Sequence, residues 1–289
     1  MVTRIYCKRF LDQSDNPLDL HLTGNLHYLY GYNGSGKSVI LRLMGALLQL
    51  NLKEYDFLHC GGESLVEVDS GRVAIGYSSE DKTITHNKRG WKYEDFIRSH
   101  TIAVHCQDSE DTGYSVDEEL GGYNGWQYPR TKGVPTNSHI RSTLITHDGF
   151  FRNIRLTIEQ IDGLLQNNEV AELAIKWFNE IWSNPTSDLH FKTEDNGHCC
   201  VYFGPKECEY GLTMEQMSSG MLKVLMIVTS AASFIKDSGE SVLIIDDFHA
   251  VLDEFTMLRL IVVLRQICEE NNYIHIIFTG HTALPDCLI

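Results

Sequence analysis

"LHYLYGYNGSGKSVILRLMGALLQL", residues 26–50, sets a short β-prone run before a glycine-rich turn and then an apolar run with helical spacing. Within this stretch, Gly31, Gly36, Lys37 and Ser38 fit the pattern G-x-x-x-x-G-K-[ST]. A strand, a glycine loop and a helix in this order are typical of a phosphate-binding loop in an α/β protein. The stretch therefore predicts an α/β fold with a phosphate site at the turn.

The residue types of this loop match the chemistry of a nucleotide bound together with a metal ion. Glycines allow successive backbone N–H groups to turn inward around phosphate oxygens, and the helix N-terminus adds its positive dipole end. We expect Lys37 to reach the β- and γ-phosphates and Ser38 to bind Mg²⁺. The alternative is a glycine-rich turn with a chance Gly-Lys-Ser sequence. The residues predicted to bind the nucleotide are Gly31, Asn33, Gly34, Ser35, Gly36, Lys37, Ser38 and Val39.

A second stretch, SVLIIDDF at residues 241–248, supplies the acidic partner that such a metal site needs. The run from Val242 to Ile245 is continuously apolar, as in a central parallel strand. We expect Asp246 to hold Mg²⁺ and Asp247 to orient the attacking water. The alternative is an ordinary core strand that ends in a solvated pair of aspartates.

Composition and charge narrow the class of protein. With 289 residues, 43% of them hydrophobic, the chain buries a sizeable core as one or two domains. The net charge of -15 opposes nucleic-acid binding, so such contact, through the basic and aromatic residues 86–100, is possible but not favoured. The eight cysteines show no metal spacing. The longest apolar segment, residues 221–235, contains Lys223 and is short for a membrane span, so we expect a cytoplasmic protein without membrane insertion.

The remaining pattern predicts short strands, an insert and an alternating C-terminal region. β-Prone runs on both sides of the glycine loop indicate an antiparallel β subdomain. Residues 108–140 are acidic and glycine-rich, as in a long loop, and residues 143–182 show mostly helical spacing. We take residues 108–185 as an acidic loop and helical insert, after which a β-hairpin follows. Helix and strand then alternate, which predicts a mostly parallel sheet in a single domain over residues 1–289.

Several stretches together resemble the motifs of ABC-type ATPases, most closely those of the SMC, RecF and OLD (AAA15-like) group. The glycine loop has the Asn-Gly pair usual in that superfamily, and DDFHAVLD at residues 246–253 resembles its Walker B and D-loop run. MSSGM at 217–221 resembles the signature motif, and IIFTGH at 276–281 resembles the switch strand. TIAVHCQD at 101–108 is a weaker match to the Q-loop strand. The resemblance implies an ABC-type ATPase head with a P-loop sheet, an antiparallel β subdomain and a helical insert.

The resemblance also implies roles for the residues of these motifs. Asp253 would be the D-loop aspartate, and the signature residues Ser218, Ser219 and Gly220 would contact ATP held by a second copy of the chain. Serine at a helix start also caps free N–H groups, and a capped start with a nearby hydroxyl suits an anion, so the two interpretations are compatible. The implied catalytic residues are Asp247, His281 and Gln107, and the implied metal ligands are Ser38, Asp246 and Gln107.

Two departures from the family pattern bear on the activity. Asp247 stands where the family has glutamate, and because its side chain is one methylene shorter we expect slow hydrolysis. Met221 replaces the polar residue that usually follows the signature glycine. We find no convincing N-K-x-D motif, so a GTPase is not favoured.

The resemblance implies a soluble ATPase that binds ATP and Mg²⁺ and forms a homodimer or higher oligomer through an ATP sandwich. It further implies a switch for a protein effector encoded nearby, in prokaryotic anti-phage defence or genome maintenance. Three alternatives stay open at this point. They are the nucleotide-binding subunit of an ABC transporter, a RecF-like DNA-binding ATPase, and a nucleotide-gated scaffold without useful turnover.

Overall fold

The computed structural model divides the chain into two compact units. One contains Met1–Gly24 and Val39–Ser142, and the other contains Asn25–Ser38 and Thr143–Ile289. The structure describes residues 2–10, 17–48, 61–68, 71–77, 100–106, 112–115, 141–145, 158–182, 189–193, 199–203, 211–212, 214–237 and 239–284.

The described residues contain thirteen strands, five α-helices and one 3₁₀ helix, Met214–Gln216. The strands are β1 (Val2–Arg9), β2 (Leu18–His21), β3 (Leu26–Tyr30), β4 (Gly61–Val68), β5 (Gly71–Tyr77), β6 (His100–Cys106), β7 (Thr112–Ser115), β8 (Arg141–Ile145), β9 (Leu189–Thr193), β10 (Cys199–Phe203), β11 (Gly211–Leu212), β12 (Ser241–Ile245) and β13 (Ile274–Gly280). The helices are α1 (Lys37–Leu48), α2 (Ile158–Leu165), α3 (Asn168–Trp182), α4 (Ser219–Asp237) and α5 (Glu254–Glu270).

The first unit contains an antiparallel sheet of six strands in the order β2-β1-β4-β5-β6-β7. Strand β1, next to the edge strand, pairs with β2 on one side and with β4 on the other, so that Ile5 lies opposite both Leu20 and Val66. Ile5 and Cys7 are fully buried, and this alternation along β1 gives the sheet an apolar face. The predicted antiparallel β subdomain is confirmed.

The second unit is built on a four-stranded sheet with the order β3-β13-β12-β8. Strand β13 pairs in parallel with both β3 and β12. Every residue of β12 and β13 is buried, as expected for strands covered on both faces. Because parallel strands end at the same edge, the segments that follow Tyr30, Ile245 and Gly280 all leave the sheet together. The predicted P-loop sheet is confirmed.

Helices of the second unit cover this sheet with one apolar core. Helices α2 and α3 pack against α4, and α3 also packs against α5. The core contains the fully buried rings of Phe248 and Phe278, whose centroids are 4.7 Å apart. The window Ser219–Lys236 is long and apolar enough to cross a membrane, but 67% of it is buried within the protein. Helix α4 is therefore a core helix of this unit.

Two strands occur where the sequence predicted other structure. Strand β7 lies within the segment expected to be a loop. It forms a strand there because it pairs with β6 from Thr101↔Ser115 to Val104↔Thr112. Strand β8 begins the region expected to be mostly helical. It extends the P-loop sheet beside β12, and the amide of Asp246 donates to the carbonyl of Ile145 over 2.8 Å.

The helical part of the predicted insert is present as α2 and α3. The predicted hairpin is present as the antiparallel pair β9 and β10, with β11 added as a third strand. The assignment of residues 1–289 to one domain, with an insert over 108–185, stays a prediction.

Candidate nucleotide-binding site

The glycine loop joins β3 to α1 in a conformation that requires glycine at two positions. Gly34 and Gly36 have φ angles of +80° and +89°, which side-chain-bearing residues rarely adopt. A turn hydrogen bond from the amide of Ser35 to the carbonyl of Tyr32, 3.2 Å long, closes the loop. A Cβ added to Gly34 would meet no atom within 4 Å, so the space above this residue is open. The backbone thus has the shape expected of a phosphate cradle.

Lys37 folds back over this loop from the first position of α1. Its ammonium donates to the carbonyl oxygens of Gly31 and Tyr32 over 2.7 and 2.9 Å. It also lies 3.4 Å from the hydroxyl of Ser35. These contacts hold the positive charge at the mouth of the loop, where a phosphate oxygen can take over as acceptor.

Ser38 at the start of α1, Asp246 just after β12 and Thr279 near the end of β13 form a hydrogen-bonded cluster. Asp246 follows β12 and is 5% exposed. Its Oδ1 accepts from the hydroxyl of Ser38 over 3.0 Å and from the hydroxyl of Thr279 over 2.7 Å. A carboxylate at this depth is costly unless hydrogen bonds or a cation satisfy it. The cluster brings together two of the predicted metal ligands.

Mg²⁺ with a nucleotide fits these residues. Magnesium prefers oxygen ligands and is commonly bound by one or two protein oxygens together with phosphate oxygens. The hydroxyl of Ser38 and the carboxylate of Asp246 are such ligands, already within hydrogen-bond distance of each other. Gln107, the third predicted ligand, lies outside the described residues.

Asp247 and His281, two of the predicted catalytic residues, lie side by side beyond this cluster. The Nε2 atom of His281 is 3.3 Å from Oδ1 of Asp247, and both side chains are partly exposed. Asp247 itself has a φ angle of +48°, and its amide donates to the hydroxyl of Thr279 over 2.9 Å. The backbone turn thus separates the two aspartates: Asp246 points into the sheet edge, and Asp247 faces solvent beside His281.

The signature segment forms a capped helix start. The hydroxyl of Ser218 accepts from the amide of Met221 over 3.3 Å, and its carbonyl accepts from the amide of Leu222 over 2.9 Å. Ser218 and Ser219 are exposed, whereas Met221 packs against the apolar core. The cap is therefore present, and contact with a nucleotide on a second copy stays a prediction. The unusual methionine has a packing role.

Gly220 faces the segment that joins Asp247 to the start of α5. A Cβ at this glycine would lie 2.6 Å from the carbonyl oxygen of Val251, closer than real Cβ atoms approach. Val251 is a β-branched residue with a φ angle of +64°, which is a rare conformation for such a side chain. The signature glycine is thus required by a close backbone approach within the chain.

Asp253, the predicted D-loop aspartate, is the N-cap of α5. Its carboxylate accepts from the amide of Thr256 over 3.0 Å and from the hydroxyl of the same residue over 2.6 Å. These hydrogen bonds hold the pKa of Asp253 below its ordinary value. Its role within this chain is to start α5, and a contact with a second copy stays a prediction.

Lys223 is a further site residue, which the sequence motifs did not indicate. It lies in α4, is 5% exposed, and donates from Nζ to the carbonyl oxygens of Asp247 and Ala250. Burial lowers the pKa of Lys223 to about 8, although the nearby charges of Asp247 and Asp246 act in the opposite direction. The only sequence signal was a single charge within the apolar run of α4.

Comparison with known proteins places this arrangement in a fold class. No protein-family model and no curated protein matches the sequence. Among solved structures, the SmcHead bound to the C-winged helix domain of ScpA is 14% identical, with a TM-score of 0.52 over 97% of this chain and 89% of that chain. The Smc head domain with an extended coiled coil, bound to the C-terminal domain of ScpA derived from Pyrococcus furiosus, is 11% identical, with a TM-score of 0.53 and the same coverage. The chain thus has the fold of an SMC head, an ABC-type ATPase fold.

Replacing Gly220 by alanine tests the close approach to Val251. We expect Gly220→Ala to lower the free energy of unfolding by about 1–3 kcal/mol, because the backbone must shift to admit the new methyl group. Gly163→Ala is the matched control: this glycine is also helical, and its Cβ would meet no atom within 4 Å. It should raise stability by about 0.5–1 kcal/mol through helix propensity. Urea unfolding measures both, and equal effects would contradict the close approach.

The lowered pKa of Lys223 predicts a pH-dependent contribution to stability. Between about pH 8 and the ordinary lysine value near 10.4, the unfolded chain retains a proton that the folded chain has released. The folded state should therefore gain stability relative to Lys223→Met as the pH rises through this window. The measurement is the difference in urea midpoint between the two proteins at about pH 7, 8.5 and 10. A difference that does not change with pH would show that Lys223 titrates normally.

Proposed function

We propose that this protein is an ABC-type ATPase that binds ATP with Mg²⁺ and dimerises around it. One observation carries the proposal. The P-loop, the Ser38–Asp246–Thr279 cluster and the Asp247–His281 pair all follow parallel strands at the same edge of one sheet. A phosphate cradle, a metal-binding pair and a polar pair beside it are the components that phosphoryl transfer requires.

Each residue has a defined task in this mechanism. The loop N–H groups and Lys37 hold the phosphates, and Ser38 and Asp246 hold the metal ion. When bound, Mg²⁺ neutralises charge that develops on the phosphate oxygens. Asp247 orients the attacking water, and His281, which lies 3.3 Å from its carboxylate, fixes that carboxylate and faces the terminal phosphate. The reach of Asp247 is shorter than that of glutamate, which favours slow turnover. Gln107 is proposed as a further ligand of the site.

The site is completed by a second copy of the chain. Ser218 and Ser219 are exposed at the start of α4, where the N-terminal dipole favours an anion. In a two-fold dimer each would face the nucleotide held by the other protomer's P-loop. Asp253 would lie at the same interface, since it follows Val251, which lies against the signature glycine, by two residues.

The biological role proposed here is that of a nucleotide-controlled switch. Both similar SMC heads are bound to a part of ScpA, and we propose that this chain likewise acts on a protein partner, one encoded nearby. A place in the OLD (AAA15-like) group, a cytoplasmic location and a role in anti-phage defence or genome maintenance belong to the same proposal. The sequence motifs support them. The net charge of -15 favours a protein partner over nucleic acid.

Lys37→Ala tests ATP binding. We expect affinity for Mg²⁺-ATP to fall at least about tenfold, because a hydrogen bond to a charged group is worth about 1.5–3 kcal/mol. Lys176→Ala, which removes an exposed lysine of α3, is the control and should bind as wild type does. Isothermal titration measures all three proteins. Equal affinity of wild type and Lys37→Ala, or no binding by wild type, would contradict the proposed function.

Ser218→Arg tests the shared site. This variant should bind ATP as a monomer but neither dimerise nor turn over, because the added bulk lies beside the terminal phosphate. Lys37→Ala should fail earlier, at binding. Mixing the two variants should restore one of the two sites, since the mixed dimer pairs an intact P-loop with an intact signature. Light scattering and phosphate release are the two measurements.

Two further variants separate the cap from the contact with nucleotide. Asparagine and aspartate both cap helices well, so Ser218→Asn and Ser218→Asp should preserve the start of α4. Only aspartate adds a negative charge that repels the phosphate, and only Ser218→Asp should block ATP-driven dimerisation. If both variants dimerise equally with ATP, Ser218 is a helix cap and nothing more.

A further inference from the structure

The turn from Asp247 to Val251 is held in an unfavourable backbone conformation at both ends. Asp247 and Val251 have φ angles of +48° and +64°, and no other non-glycine residue in the described chain has a positive φ. Such conformations persist only where the surrounding structure imposes them, and they cluster at functional sites. Asp247 is also the residue proposed to orient water. The contacts that hold this turn therefore matter for the reaction.

The contacts with the carbonyl oxygens of this turn come from one face of α4. Gly220 and Lys223 are three residues apart and so lie on the same side of the helix. Lys223 donates to the carbonyls of Asp247 and Ala250, and Gly220 lies against the carbonyl of Val251. Three of the five carbonyl oxygens of this segment thus lie against the beginning of α4, the signature helix. From the other side, Thr279 of β13 holds two amides of the turn: its hydroxyl accepts from Asp247 over 2.9 Å and its carbonyl accepts from Phe248 over 2.7 Å.

Lysine suits this position because of its shape and its donors. An ammonium group has three N–H donors on a flexible stem, so it can serve two carbonyls at once. The stem leaves α4 between Leu222 and Val224, which belong to the apolar core or pack on it. Methionine would fill the same space without donors, and it would leave both carbonyls without this partner. Glutamine would keep a donor on a shorter stem.

We propose that Lys223 is a positioning residue that makes the signature helix and Asp247 move as one unit. This inference rests on the proposed function. When Ser218 engages ATP on the second copy, the movement of α4 is transmitted through Lys223 to Asp247 of its own chain. Each site in the dimer then turns over faster when the other holds ATP. The consequence is positive cooperativity in ATP, carried by a contact within each chain.

The test compares wild type with Lys223→Gln, Lys223→Met and the control Lys236→Met. Lys236 lies on the same helix but forms a surface ion pair with Glu169, so its replacement should change nothing. ATP affinity by titration, ATP-driven dimerisation, kcat and the Hill coefficient of turnover are measured for each protein. Affinity and dimerisation report on the proposed function, and kcat with the Hill coefficient reports on Lys223.

We expect wild type to give a Hill coefficient above 1. Lys223→Gln should bind ATP and dimerise like wild type, with kcat lower by about 10-fold, within the usual range of coupling between sites, and with a Hill coefficient below that of wild type. Lys223→Met should show the same change to a larger degree. The inference is overturned if wild type turns over without cooperativity or if Lys223→Gln keeps the wild-type kcat and Hill coefficient. It is also overturned if Lys223→Gln loses ATP affinity, because Lys223 then supports the fold rather than the coupling.

Discussion

The rest of the site depends on the hydrogen bonds that the buried carboxylate of Asp246 accepts. This carboxylate is nearly inaccessible to solvent. Its Oδ1 accepts hydrogen bonds from Ser38 at the start of α1 and from Thr279 near the end of β13. A buried carboxylate without such partners would be destabilising. The start of α1 and the ends of β12 and β13 are therefore held close together. The same constraint turns the chain at Asp247, whose amide also bonds to Thr279. The proposed metal ligands, phosphate cradle and catalytic pair are all arranged around this one cluster.

The signature helix adds a second constraint from within the same unit. Its start is capped by Ser218, its glycine admits the carbonyl of Val251, and Lys223 holds two more carbonyls of the turn. A helix end whose first serines are exposed is thereby attached to the backbone of the proposed water-orienting residue. These carbonyl partners offset part of the cost of burying the charge of Lys223 in an otherwise apolar helix, a cost that lowers its pKa to about 8.

Much of this arrangement could be predicted from sequence because its signals are local. The glycine loop requires particular backbone conformations, and a continuous apolar run followed by Asp246 indicates a buried parallel strand with an acidic end. Once the parallel strands are recognised, their geometry alone predicts that the segments following them meet at one edge of the sheet. Strands β7 and β8 were missed because their structure comes from pairing with β6 and β12, which no local pattern records. Lys223 was missed for the same reason: its partners are backbone carbonyls 24 and 27 residues away.

The central claim is that one ATP site is shared by two copies of this chain. The most direct measurement is the molar mass of the wild-type protein in solution by light scattering, with Mg²⁺ and an ATP analogue whose terminal phosphate cannot be released. The account predicts a monomer without nucleotide and twice that mass with the analogue and Mg²⁺, reversed when ADP replaces the analogue. A protein that binds the analogue tightly and keeps its monomer mass would contradict the shared site.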